Sequence, residues 1–117
     1  MGYDVSLYKV PVELKDQKIN DEVLFDIAYG DDNENFLLAD TNFSLGNPNS
    51  IEFAMVFDIA LTNNDFFKIY RIGEYNEAKN RLQTMSLDDE MKNRINNFLN
   101  IIDHELNKGE LIFFCCG

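Results

Sequence analysis

Apolar and polar residues alternate from the start of the chain. Tyr3, Val5 and Leu7 fall on one side and Asp4, Ser6 and Tyr8 on the other, a period of two that predicts a half-buried strand over 3–10. Pro11 lacks an amide proton and limits further pairing, and 12–18 reads as a polar connection. At the opposite end, residues 111–116 are continuously apolar. That pattern predicts a strand covered on both faces and central in its sheet, with the first strand as its neighbour.

The clearest helix lies just before that last strand. Leu87, Met91, Ile95, Phe98, Ile102 and Leu106 recur at helical spacing over about five turns. Asp88, Asp89 and Glu90 occupy its first turn, where the helix dipole favours negative charge. Ser86 with Asp89 resembles a capping box, and Lys108 and Gly109 mark the stop. Tyr75, Ala78, Leu82 and Met85 predict a second helix, with Glu77, Lys79 and Arg81 on its wet side.

Three segments carry both periods. Over 20–29, Asn20 offers a cap to a helix bearing Val23, Leu24, Ile27 and Ala28, while Val23, Phe25, Ile27 and Tyr29 also alternate; the cap favours helix. Over 51–61 the pairing of Asn49 with Glu52 and two alanines favour helix against an alternating strand. Residues 66–72 fit a strand or a further helical turn. Residues 30–35 and 46–50 are breaks by composition, 36–39 suits a short strand, and 62–65 closes the segment before it. Together these elements predict an α+β fold: a small antiparallel-containing sheet joining the N- and C-terminal strands, packed by about three to four helices. The length predicts a single domain over 1–117.

Charge is more informative here than any motif. Twenty-one acidic residues against ten basic ones leave a formal net charge of −11. Such a surface repels phosphate backbones and anionic headgroups, so no nucleic acid and no membrane is expected as partner. It attracts a basic protein and accelerates its association. Solubility alone is the competing explanation of the same charge. No run approaches the ~20 apolar residues of a membrane span, and no basic stretch leads into an apolar one at the N-terminus. Cys115 and Cys116 are adjacent and belong on opposite faces of a strand. They read as reduced thiols of a cytoplasmic protein.

The residue pattern offers little catalytic chemistry. His104 precedes Glu105, but Lys108 stands where a zinc-protease helix needs its second histidine. Asp31, Asn33 and Asn35 begin a calcium-loop spacing, which fails at Phe36 and Asn42, where glycine and a bidentate glutamate belong. The N-terminal Gly2 and Ser6 match an acylation pattern, but Tyr3 belongs to a buried strand. A prenylation cysteine would have to stand at Phe114. No phosphate-binding loop or nucleophile elbow is present. The expectation is no enzyme, no metal and no cofactor.

One cluster is left over. Asp26, Asp31, Asp32, Glu34 and Asp40 surround the break at 30–35, beside Tyr29 and Phe36. Carboxylates pair with Arg and Lys, and rings supply anchoring area, so this is the expected partner-binding site. In size, acidity, cytoplasmic character and lack of catalytic motifs the chain resembles bacterial toxin immunity proteins, of the contact-dependent growth-inhibition or nuclease-bacteriocin type. That resemblance implies stoichiometric neutralisation of a basic toxin by covering its active site. Two other classes remain open: a ligand-binding domain or small enzyme, and a regulatory subunit acidic only for solubility.

Overall fold

The computed structural model describes residues 2–44, 46–62 and 64–117. Met1 of the acylation pattern and position 63 of the break expected over 62–65 lie outside the described residues. The chain runs β1 (Gly2–Lys9), α1 (Asp21–Tyr29), β2 (Leu37–Ser44), α2 (Pro48–Phe57), β3 (Phe66–Tyr70), α3 (Ile72–Thr84), α4 (Asp89–Asn107) and β4 (Ile112–Cys116), with short 3-10 turns at Val12–Leu14 and Asn33–Asn35. The four strands form one antiparallel sheet in the order β2-β1-β4-β3. The fold is therefore α+β, with the terminal strands paired at its centre.

β4 is buried at every position. Ile112, Phe114 and Cys116 face the larger core, where Val5, Leu7 and Phe43 meet Phe53 and Phe57 of α2, Ala78 of α3 and the α4 stripe of Met91, Ile95, Phe98 and Ile102. Phe114 is fully buried among Phe57, Tyr70 and Phe98, with ring centroids 5.1, 5.0 and 6.0 Å away. Phe113 and Cys115 face the opposite way. They join Tyr8, Val10, Phe67 and Ile69 beneath Leu24, Ile27 and Ala28 of α1. The sheet thus carries three helices on one face and one short helix on the other.

The ambiguous segments resolve by their partners. Asn20 caps α1 through its side chain on the Val23 amide, as expected. Residues 66–70 pair with β4 and form a strand. The strand expected over 36–39 extends to Ser44, because β1 continues to offer backbone partners along the whole stretch. Two caps lie elsewhere than expected. α2 is capped by Asn47, with Pro48 in its first turn, so Asn49 sits inside the helix and its amide donates to the Asn47 side chain. α4 is capped by Asp88, which accepts from the Met91 amide, in place of Ser86. In both cases the later or earlier oxygen wins because it reaches an otherwise unpaired first-turn N–H. Arg81 also departs from the wet side: its Nε donates to the Val56 carbonyl at 2.7 Å, tying α3 to the end of α2.

That end is unusual. Asp58 adopts a left-handed conformation, φ 54° and ψ 52°, which a non-glycine residue takes at some cost. Lys68 holds it there, donating to both its carbonyl and its carboxylate at 3.0 and 2.9 Å. The pairing with Lys68 keeps the Asp58 carboxyl below its usual range.

Phe114→Ala is expected to destabilise the protein by about 3–5 kcal/mol, the cost of a cavity inside an aromatic cluster. Phe25→Ala, at a site 44 % exposed, is expected to cost under about 1 kcal/mol. Equilibrium urea unfolding of the two variants checks the contrast.

Candidate functional site

The second face of the sheet is only partly covered. α1 lies over the β1 end, β4 and β3, and leaves the polar half of β1 and β2 open. On that open half Asp4 pairs in register with Asn42, and Ser6 with Asp40. Because side chains two apart on a strand share a face, all four form one polar floor. The Asn42 amide donates to the Asp4 carboxylate. The C-terminal end of α1 and the turn after it form the wall, through Tyr29 and Asn33, and Tyr8 and Cys115 stand at the foot of that wall. The groove so enclosed has a volume of about 500 Å³.

Local sequence sets the wall. α1 ends at Tyr29, and Gly30 follows where a Cβ would lie 2.5 Å from the Asp26 carbonyl oxygen, so the chain can close against the helix end only with glycine. The Asn33 side chain then donates to the Ala28 carbonyl at 3.0 Å, satisfying one of the free carbonyls of the helix end. Tyr29 donates its hydroxyl to Asp65 at 2.8 Å and accepts from the Cys115 thiol at 3.6 Å. This chain of contacts links α1, the approach to β3, and β4. Burial, then the hydrogen bonds with Cys115 and Asp65, push the Tyr29 hydroxyl well above the ordinary phenol range. The hydroxyl is therefore a neutral donor.

The six expected partner-binding residues are all exposed, but they do not form one site. Tyr29 and Asp40 line the groove. Asp26, Asp31 and Asp32 line a separate, smaller hollow of about 260 Å³ together with Gly30 and Phe36. Asn33 stands between the two hollows and borders both. Glu34 lies in the 3-10 turn and lines neither. Phe36 is half-buried against the smaller core and serves it as packing. The exposed ring beside Tyr29 is instead Phe25, 4.7 Å away between centroids and itself 6.5 Å from Phe67.

A stronger signal stands in the sequence and does not depend on any turn. Between positions 19 and 67 lie ten of the 21 acidic residues and none of the ten lysines and arginines, nor the histidine. Outside that block the charges nearly balance, 11 acidic against ten basic. The block folds as α1, β2, α2 and the approach to β3, and seven of its ten carboxylates lie on α1, the turn after it and β2. Among the described residues only Asp58 of this block forms an ion pair. Asp4 was no candidate, since nothing in its neighbours predicts that β2 will bring Asp40 to the same face.

His104 is exposed on α4, and no group of three metal-ligating side chains occurs among the described residues. Cys115 and Cys116 are free and face opposite sides of β4. Among the described residues no helix is long and apolar enough to cross a membrane. No family model, curated protein or solved structure matches the chain.

Burial pushes the Cys116 thiol up to about 12, and raises Cys115 as well against the lowering effect of its bond to Tyr29. In the unfolded chain these thiols ionise from about pH 8.5, whereas in the fold they keep their protons. The unfolded state therefore binds fewer protons in that window, and stability present below it is lost as pH rises toward about 12. The unfolding free energy from urea titrations should fall between about pH 8.5 and 10.5 by up to ~1.4 kcal/mol per pH unit for the Cys116 thiol, with Cys115 acting in the same direction. Replacing both with alanine should flatten the slope, and a flat wild-type profile would contradict the assignment.

Proposed function

We propose that this chain is a binding protein that neutralises a basic protein partner in the cytoplasm, as a bacterial immunity protein neutralises its toxin. It acts by occupying the partner and not by catalysis. The observation that carries this reading is the cation-free block over 19–67, whose carboxylates are exposed along α1, the following turn and β2. A surface region with one sign of charge steers an oppositely charged protein into encounter and repels nucleic acid.

The same region has the makings of an interface. Phe25 and Tyr29 are 44 % and 50 % exposed and stand among Asp21, Glu22 and Asp26 on α1. Large rings surrounded by charge-pairing groups are the composition in which binding energy concentrates. Among the described residues only Asp58 of this block is held in an ion pair, so the other carboxylates are available for Arg and Lys of a second protein.

Growth rescue is the direct test. Co-expression with a basic toxin domain encoded by the adjoining gene is expected to restore growth that the domain alone arrests, and the two chains should co-elute on gel filtration. Association should slow about tenfold or more between 0.05 and 0.5 M salt. Asp31→Lys combined with Asp32→Lys should slow it by a similar factor at low salt, whereas Asp103→Lys on α4 should change it less than about twofold. Absence of both rescue and complex would sink the reading.

A further inference from the structure

The sheet has two edges, and they differ. β3 is five residues long and carries Lys68 at its centre. A short strand with a lysine is a poor template for further pairing. β2 is eight residues long and has neither lysine nor proline. One irregularity, at Leu38, leaves residues 39–44 in regular register with β1. The polar face of that stretch is open, because α1 packs on the residues of β3, β4 and the end of β1.

The bonds at both ends of β1 fix where the backbone groups of β2 point. The Gly117 amide donates to the Asp4 carbonyl at 3.0 Å, and the Val10 amide to the Leu111 carbonyl at 2.7 Å. Alternate residues of a strand inside an antiparallel sheet bond to opposite neighbours. Asp4, Ser6, Tyr8 and Val10 therefore bond toward β4, and Val5 and Leu7 toward β2. Asn42 and Asp40 stand opposite Asp4 and Ser6, so they turn their N–H and C=O groups away from β1. Among the described residues those groups make no backbone hydrogen bond across the outer edge. Both residues are exposed. A row of unpaired donors and acceptors on an exposed edge is a template for another extended chain.

We infer that the outer edge of β2 takes up an extended segment of the partner as a fifth strand, with lysine or arginine beside Asp40. Charge decides the occupant. The residue opposite Asp40 on an added strand lies on the same face, about 4.5–5.5 Å away between Cβ atoms. A basic side chain there meets Asp40 directly, with Asp4 one strand behind it, and an acidic one is repelled. A second copy of this chain does not meet that condition, since β2 has no lysine or arginine to set against Asp40. Leu37, 38 % exposed at the start of β2, offers an added strand an apolar neighbour. Backbone pairing supplies the affinity, and the alternate side chains supply the choice of partner. That the strand comes from a basic protein rests on the function proposed above; the free edge does not.

Amide NMR on the whole chain is the test, with two probes. One is the basic domain encoded by the adjoining gene. The other is a blocked nine-residue peptide alternating lysine with threonine, with a glutamate–threonine peptide as control. With the domain bound, the Asp40 and Asn42 amides should exchange their hydrogens at least about tenfold more slowly. The lysine peptide should give saturating shifts centred on residues 37–44, with a Kd of about 1 mM or tighter, and the glutamate peptide should not saturate. Asn42→Pro removes an outward N–H and no bond to β1, and should weaken binding about tenfold or more. Asn42→Thr loses the same side-chain amide but keeps the N–H, and should stay within about threefold of the wild type. Asp40→Lys should reverse the preference between the two peptides. Edge amides that respond to neither probe, an equal response to both peptides, or equal losses in the Pro and Thr variants would overturn the assignment. Protection of the two amides that grows with the concentration of the chain alone would replace the basic strand by a second copy. Should Asn42→Pro lose its dispersed spectrum, wild-type exchange and Asp40→Lys decide the matter. A domain that binds and rescues growth without slowing the edge amides strikes this inference and leaves the neutralising reading in place. Peptide binding at the edge with no rescuing domain does the reverse.

Discussion

β4 has no polar face. Ile112, Phe114 and Cys116 point to one side, Phe113 and Cys115 to the other, and all five are buried. A strand of this kind needs a neighbour on each edge, for its backbone groups, and a cover on each face, for its side chains. β1 and β3 supply the edges. α2, α3 and α4 supply one cover and α1 the other. The order of the sheet, the pairing of the two chain ends and the two separate cores all follow from burying this one segment on both sides.

The two covers are unequal, and the inequality creates the groove. Three helices and a cluster of phenylalanines close the first face around Phe53, Phe57, Phe98 and Phe114. On the second face there is only α1, nine residues long, or about 14 Å. It lies over the apolar residues of β3, β4 and the end of β1. It cannot also reach β2, and there the strands carry Asp4, Ser6, Asp40 and Asn42 on that face, as an uncovered surface requires. The wall stays in place because Gly30 permits the close turn and because Tyr29, Asp65 and Cys115 tie the helix end to the sheet. An open polar floor beside a fixed wall is thus a direct consequence of a cover that is too short.

Charge distribution adds direction to this shape. The unbalanced carboxylates lie in the block that builds α1, β2 and α2, while the ion pairs gather on the connection before α1, on α3 and α4, and at Asp58 with Lys68. Mutual repulsion among exposed carboxylates is modest in water and salt, because they sit in high dielectric and within reach of counterions. The fold tolerates the arrangement without internal compensation. What it leaves available is a potential that acts at a distance.

Much of this was legible along the chain. The alternation over 3–10, the unbroken apolar run over 111–116 and the stripe of α4 are local patterns, and a local pattern reports which faces of an element must be buried. They sufficed for an α+β fold with paired termini. The acidic block was also legible, as a plain absence of lysine and arginine over 49 positions. Segments that fit both periods needed their partners: 66–70 became a strand because β4 was there to pair with it, and α2 began where Asn47 and Pro48 together met the first-turn amides. The candidate site was only half legible. Asp26, Asp31 and Asp32 are neighbours in sequence and remain neighbours in space, but Tyr29 and Asp40 belong with Asp4, Ser6 and Tyr8. Only the register of β1 against β2 brings those together. Register is set by contacts between residues 29 to 42 positions apart, and a shift of one would turn every side chain of β2 to the other face. The charge and the faces to be buried follow from composition and local periodicity; which polar residues share the uncovered face follows from the pairing of strands distant along the chain.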